Sequence, residues 1–156
     1  MLELLPEFTS QPEVLLAACA FGYLAGSIPF GIIISKILGL GDLRKVGSGN
    51  IGATNVLRTG NKLAAFLTLL FDFSKGICAV LLVRQFFGED AVQVSAFSAL
   101  VGHCFPIWLR FKGGKGVATF LGVTIALFFI IGIICCFVWL FVAVVRKMSS
   151  LASLTS

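Results

Sequence analysis

Two short stretches carry residues fit for chemistry. "KVGSGNIGATNVLR" (Lys45 to Arg58) sets three glycines, two asparagines and two cations between long apolar runs. Glycine lets backbone N–H groups approach an anion closely, and successive N–H groups in a turn form a concave anion nest. Gly47, Gly49 and Gly52 would free the backbone, while Ser48, Asn50, Thr54 and Asn55 supply polar side chains. A helix beginning near Thr54 would aim its N-terminal amides at the same anion. Arg58 then offers a planar fork suited to phosphate. The second stretch, "RFKGGKGVAT" (Arg110 to Thr119), places Lys112, Gly113, Gly114, Lys115 and Gly116 just before an apolar segment at Val117. That reads as another glycine-softened cradle at a helix start. Each loop alone fits a plain connection whose cations set topology; two of them suggest one site for two phosphate groups.

Both stretches imitate motifs they do not satisfy. Gly47 to Gly52 spell G-x-G-x-x-G with Asp72 twenty residues on, but a dinucleotide site needs a strand and a βαβ unit around it. Asp72 falls instead within an apolar run. The Walker pattern requires Ser or Thr after its lysine, and Gly116 follows Lys115.

The elements that must position these loops are membrane spans. The chain of 156 residues is 58% hydrophobic and 12% charged, with mean hydropathy +1.05. Soluble domains run near 45–50% apolar and about 25% charged. Spans are predicted at Val14–Leu38, Leu63–Val83, Ala91–Leu109 and Val117–Val145, each near the roughly 20 residues that cross a bilayer. The fold class is therefore all-α: one polytopic transmembrane helix bundle over residues 1–156. Pro29 should kink the first span, and Gly22 with Gly26 forms a G-x-x-x-G packing face. The last run either crosses once or breaks near Gly132, which would return Arg146 and Lys147 to the side they started from.

Lys and Arg concentrate in Gly39–Lys62 and Arg110–Gly116, so both glycine-rich loops are expected on the cytoplasmic side. The acidic start "MLELLPEFTSQPE" lacks the basic region of a cleavable signal. No continuous basic face suggests nucleic acid. The five cysteines show no C-x-x-C pair, and His103 is the only histidine; no disulfide framework, metal or organic cofactor is expected.

Three ionisable groups fall inside apolar runs. Asp72 and Lys75, spaced i, i+3, should pair on one helix face, with direct substrate contact as the other reading. His103 lies seven residues before Arg110, roughly 10 Å below the loop on a continuous helix. It suits either a packed hydrogen-bonding role or proton transfer. Cys104 points about 100° away from it and is not read as a nucleophile.

"VGSGNIGATNVLR" and "GHCFPIWLRFKGGKGVAT", with "GSIPFG", "DLRKVGSGN", "FDFSKG" and Ser149–Leu154, resemble the bacterial acyl-phosphate:glycerol-3-phosphate acyltransferases (PlsY type). The resemblance covers almost the whole chain. It implies a compact helical enzyme of the bacterial cytoplasmic (inner) membrane that moves a fatty acyl group from acyl phosphate to glycerol 3-phosphate, giving lysophosphatidate. It also implies that Ser48 and Arg58 are needed for activity and that Lys112 to Gly116 bind substrate phosphate. His103 is added as the candidate proton acceptor, and no obligatory protein partner is expected beyond the bilayer. Family members continue past this point with further membrane segments and a motif carrying His, Asn and Glu, so the resemblance implies a C-terminally shortened member. A transporter for a phosphorylated solute, or a non-catalytic remnant, are the alternatives.

Overall fold

The computed structural model describes residues 9–146. They form α1 (Pro12–Ser27), α2 (Phe30–Ile37), α3 (Ala53–Leu57), α4 (Lys62–Phe86), α5 (Glu89–Cys104), α6 (Val117–Leu127) and α7 (Phe129–Arg146). Among the described residues there is no strand. Three helical segments are long and apolar enough to cross a membrane: Pro12–Ile37, Lys62–Phe86 and Glu89–Leu109.

Prolines set the breaks. Pro12 opens α1, where its missing N–H is harmless. Pro29 breaks the first crossing into α1 and α2 rather than only kinking it, because it offers no N–H to continue the ladder. The third span was expected to run as one helix to Leu109. It stops at Cys104, since Phe105 precedes Pro106 and is pushed out of helical geometry; a 3-10 turn at Ile107–Leu109 follows.

The last apolar run divides at Phe128, not at Gly132. Gly132 instead marks where α7 crosses back over α6: a Cβ there would collide with the backbone of Ile125. The carbonyl end of α6 finds a partner in Arg84, whose guanidinium donates to Ala126 O at 2.6 Å and to the Glu89 carboxylate at 2.9 and 3.1 Å. A terminal carbonyl at membrane depth would otherwise lack a donor.

Small residues bring the helices together. Gly22 rests on Ser95 and Gly26 on Ala99, while Gly102 rests on Tyr23 and Ser27. These contacts advance together, so α1 and α5 run parallel. Gly76 meets Thr119 and Val123 in the same way, and Gly122 meets Phe73, seating α6 against α4.

The ion pair expected of Asp72 and Lys75 is present and buried, at 2.8 Å. Lys75 Nζ also donates to Ile28 O at 2.9 Å, the carbonyl beside the Pro29 break. Thr119 Oγ1 donates to Asp72 O at 3.0 Å. These bonds join the broken first crossing, α4 and α6 at one depth.

Replacing Gly26 by Val should force α1 away from the Ala99 backbone. Overpacking of this kind costs about 1–3 kcal/mol, so the detergent-solubilised protein should unfold at clearly lower temperature. An unchanged Tm would contradict the close α1–α5 contact.

Candidate functional site

The first glycine-rich loop is held by one buried amide. Asn55, 2% exposed, donates through Nδ2 to Leu43 O (3.0 Å) and Asn50 O (2.7 Å). Its Oδ1 accepts from Ser48 N (3.1 Å) and Ser48 Oγ (3.4 Å). Both amide hydrogens are therefore committed to the loop, and Asn55 shapes Ser48 rather than offering a free donor. Leu43, buried with Val56, Ile34, Ala64 and Ala65, anchors the start of the loop.

Gly47 and Gly49 take the left-handed region, at φ 51° and 71°, where a side chain is strained. At Gly47 a Cβ would also fall 2.6 Å from the Arg58 side chain. The missing side chain is the seat of Arg58. The expected helix starts at Ala53 and lasts only to Leu57, with Gly52 before it; its five residues make a weak dipole.

The second loop differs more from its reading as an amide cradle. Lys112 N donates to Leu109 O, Gly113 N to Cys104 O and Gly114 N to His103 O, at 3.0–3.2 Å. The Gly113 and Gly114 amides close the end of α5 and the Lys112 amide closes the 3-10 turn at Leu109, so these three are committed within the chain. The chain achieves the reversal through left-handed Arg110 (φ 53°) and Phe111 (φ 61°), each costing about 1–2 kcal/mol. Gly113 and Gly114 are needed for close approach, since a Cβ on Gly114 would collide with His103 Nε2.

That reversal also corrects the depth expected of His103. The loop folds back onto the imidazole instead of standing roughly 10 Å above it. His103, 4% exposed, has Nδ1 3.7 Å from Asp72 Oδ1.

Both loops border a single cavity of about 780 Å³. Of the expected residues, Ser48, Asn50, Gly52, Thr54, Asn55, Arg58, His103, Lys115 and Gly116 line it. Gly47, Gly49, Lys112, Gly113 and Gly114 do not; they shape the backbone behind it. Among the described residues three cations face the cavity, Arg58, Lys62 and Lys115, against one carboxylate, Asp72, already paired with Lys75. An apolar wall of Phe66, Leu69, Leu121, Trp139 and Ala143 completes it. Among the described residues no three His, Cys, Asp or Glu side chains gather as metal ligands.

Lys62, Phe66, Leu69 and Trp139 escaped the sequence reading. For α4 a signal existed: positions 62, 65, 66, 69 and 72 fall on one helical face. Trp139 is placed by the fold-back of α7, which no local pattern announces.

A family model described as glycerol-3-phosphate acyltransferase matches residues 16–156. This chain belongs to the glycerol-3-phosphate acyltransferase family. The glycerol-3-phosphate acyltransferase of Cereibacter sphaeroides (strain ATCC 17029) is 57% identical over 152 residues, covering 97% of this chain and 76% of the relative. That of Jannaschia sp. (strain CCS1) is 56% identical over 153 residues, covering 98% and 75%. The crystal structure of PlsY, an integral membrane glycerol 3-phosphate acyltransferase, in its glycerol 3-phosphate form superposes with TM-score 0.84 at 42% identity, covering 90% of this chain and 71% of that one. Its lysophosphatidic acid form gives 0.79 at 38% identity, covering 90% and 70%. The family favours acyl transfer over the transporter alternative.

Asn55→Ala should strand Leu43 O, Asn50 O and Ser48 N. At about 1–3 kcal/mol for a buried group left unpaired, the variant should lose several degrees of Tm. Limited proteolysis should cut within residues 43–52 sooner than in wild type, and equal cutting would contradict the bracing role.

Proposed function

We propose that this protein transfers a fatty acyl group from acyl phosphate to glycerol 3-phosphate, releasing lysophosphatidate and orthophosphate. One observation carries the reading: cations from both loops and from the start of α4 meet an apolar wall in one cavity. Such a space suits two phosphate-bearing reactants, one of them with a fatty chain. The glycerol-3-phosphate acyltransferases it resembles and the two PlsY forms support glycerol 3-phosphate as acceptor; the choice of acyl phosphate as donor rests on the motif resemblance.

An acyl phosphate is a mixed anhydride with a good leaving group, so no covalent enzyme intermediate is needed. The acceptor hydroxyl oxygen attacks the acyl carbonyl carbon, the bond from that carbon to the phosphate oxygen breaks, and orthophosphate departs. The hydroxyl proton passes to His103 or to a phosphate oxygen. Holding both reactants at bonding distance contributes roughly 7–11 kcal/mol. Ser48, oriented by Asn55, and Arg58, seated at Gly47, hold the acyl phosphate and steady charge growing on the carbonyl oxygen. Lys115 and Gly116 receive glycerol 3-phosphate, with Lys112, Gly113 and Gly114 shaping that turn. The chain lies along Phe66, Leu69 and Leu121.

The protein works in the bacterial cytoplasmic membrane, as a single bundle with no obligatory protein partner. Both glycine-rich loops face the cytoplasm: Arg44, Lys45, Arg58, Lys62, Arg110, Lys112 and Lys115 lie in or beside them. At the opposite end of the bundle, Thr9 and Ser10 bind Asp90.

Purified protein given labelled glycerol 3-phosphate should form lysophosphatidate with acyl phosphate and not with an acyl thioester. Product from thioesters alone would sink the donor assignment. Arg58→Lys should lower kcat/KM by about 10–100-fold, because an ammonium cannot reproduce a two-pronged contact. A near-normal rate would remove Arg58 from the site.

A further inference from the structure

Lys62 does not fit a purely structural role. It occupies the first position of α4, a helix with no acidic residue in its first turn. A cation there opposes the positive end of the helix dipole. Among the described residues Lys62 makes no ion pair, and the N-cap work is done by its neighbour, Asn61, whose side chain accepts from Ala64 N at 2.9 Å. Exposed at the start of its helix and, among the described residues, with no carboxylate paired to it, Lys62 has its ammonium available to an anion.

The geometry supplies the place. Lys62 borders the same cavity as Arg58 and Lys115, and Phe66 and Leu69 continue its face of α4 toward the buried Asp72. The stripe runs from an exposed cation at the rim, along apolar side chains, to a floor where charge is already neutralised.

We infer that Lys62 is a third phosphate-contacting cation, taking the phosphate of one reactant at the cavity rim. This rests on the acyl-transfer reading for the identity of the phosphate and deepens it by adding a binding residue. Two sources share the chemistry: free glycerol 3-phosphate, or the phosphate of the acyl donor.

The test compares wild type with Lys62→Gln and Lys62→Arg, each the full 156-residue chain in detergent, by initial rates against both substrates and by Tm. Lys62→Gln should raise KM for one substrate about tenfold, the scale of a charged hydrogen bond, with kcat within about twofold. The affected substrate identifies the source. Lys62→Arg, which keeps the charge, should recover most of the affinity, and added salt should narrow the gap between wild type and Lys62→Gln. Because the substitution removes a cation from a helix start, Tm without ligand should stay level or rise. Unchanged KM for both substrates overturns the inference, and so does a lowered Tm accompanied by a fall in kcat alone. If wild type forms no lysophosphatidate, the parent reading fails, and the shift in Tm caused by glycerol 3-phosphate or inorganic phosphate decides for Lys62. A shift in wild type that Lys62→Gln abolishes upholds it; equal shifts, or none in either, overturn it.

Discussion

One ammonium group holds the bundle in register. Lys75 Nζ bonds Asp72 Oδ1 at 2.8 Å and Ile28 O at 2.9 Å, and it stands 5.8 Å from the centre of the Phe30 ring. Ile28 O, the carbonyl beside the break at Pro29, accepts from Phe30 N at 3.1 Å as well as from Lys75, so the break is held both from within the first crossing and from α4. A buried pair of this kind gains little stability against an apolar replacement, but losing one partner leaves an uncompensated charge. Its value lies in fixing position: Asp72 also lies beside His103 and, through its backbone carbonyl, receives the hydroxyl of Thr119. The cavity floor is therefore the meeting point of the first crossing, α4, α5 and α6.

The glycines act mainly through space. In the second loop, the amides of Gly113 and Gly114 are spent on the end of α5, and glycine serves to lay the chain against His103. In the first loop, left-handed Gly47 leaves room for the Arg58 side chain. Close packing and positive φ thus place the charged groups that line the cavity. Of the second loop only Lys115 and Gly116 reach the cavity.

Much of this was legible. Apolar run lengths and clustered charge give an all-helical membrane bundle, and Pro29 gives a kink in the first span, though not its division into two helices. The i, i+3 spacing of Asp72 and Lys75 gives their pair. What was hidden is tertiary. Nothing local says that Asn55 satisfies itself on Leu43 and Asn50, or that the chain reverses after Pro106 to cover the imidazole. Phe128, where the last run folds back, is an ordinary apolar residue, whereas the more conspicuous Gly132 marks the crossing that follows. Lys62 looked like a topological charge because loop cations usually are; its place on the cavity-facing stripe emerges only once α4 is known to start there.

The central claim, that the Asp72–Lys75 pair sets the register on which the cavity depends, is tested most directly by a double-mutant cycle. Thermal and denaturant unfolding would be measured for Asp72→Asn, Lys75→Met and the two combined. Each single change should cost about 3–5 kcal/mol, and the double variant should lose markedly less than the sum of the two. Losses that simply add would show that the two residues act independently and would contradict the account.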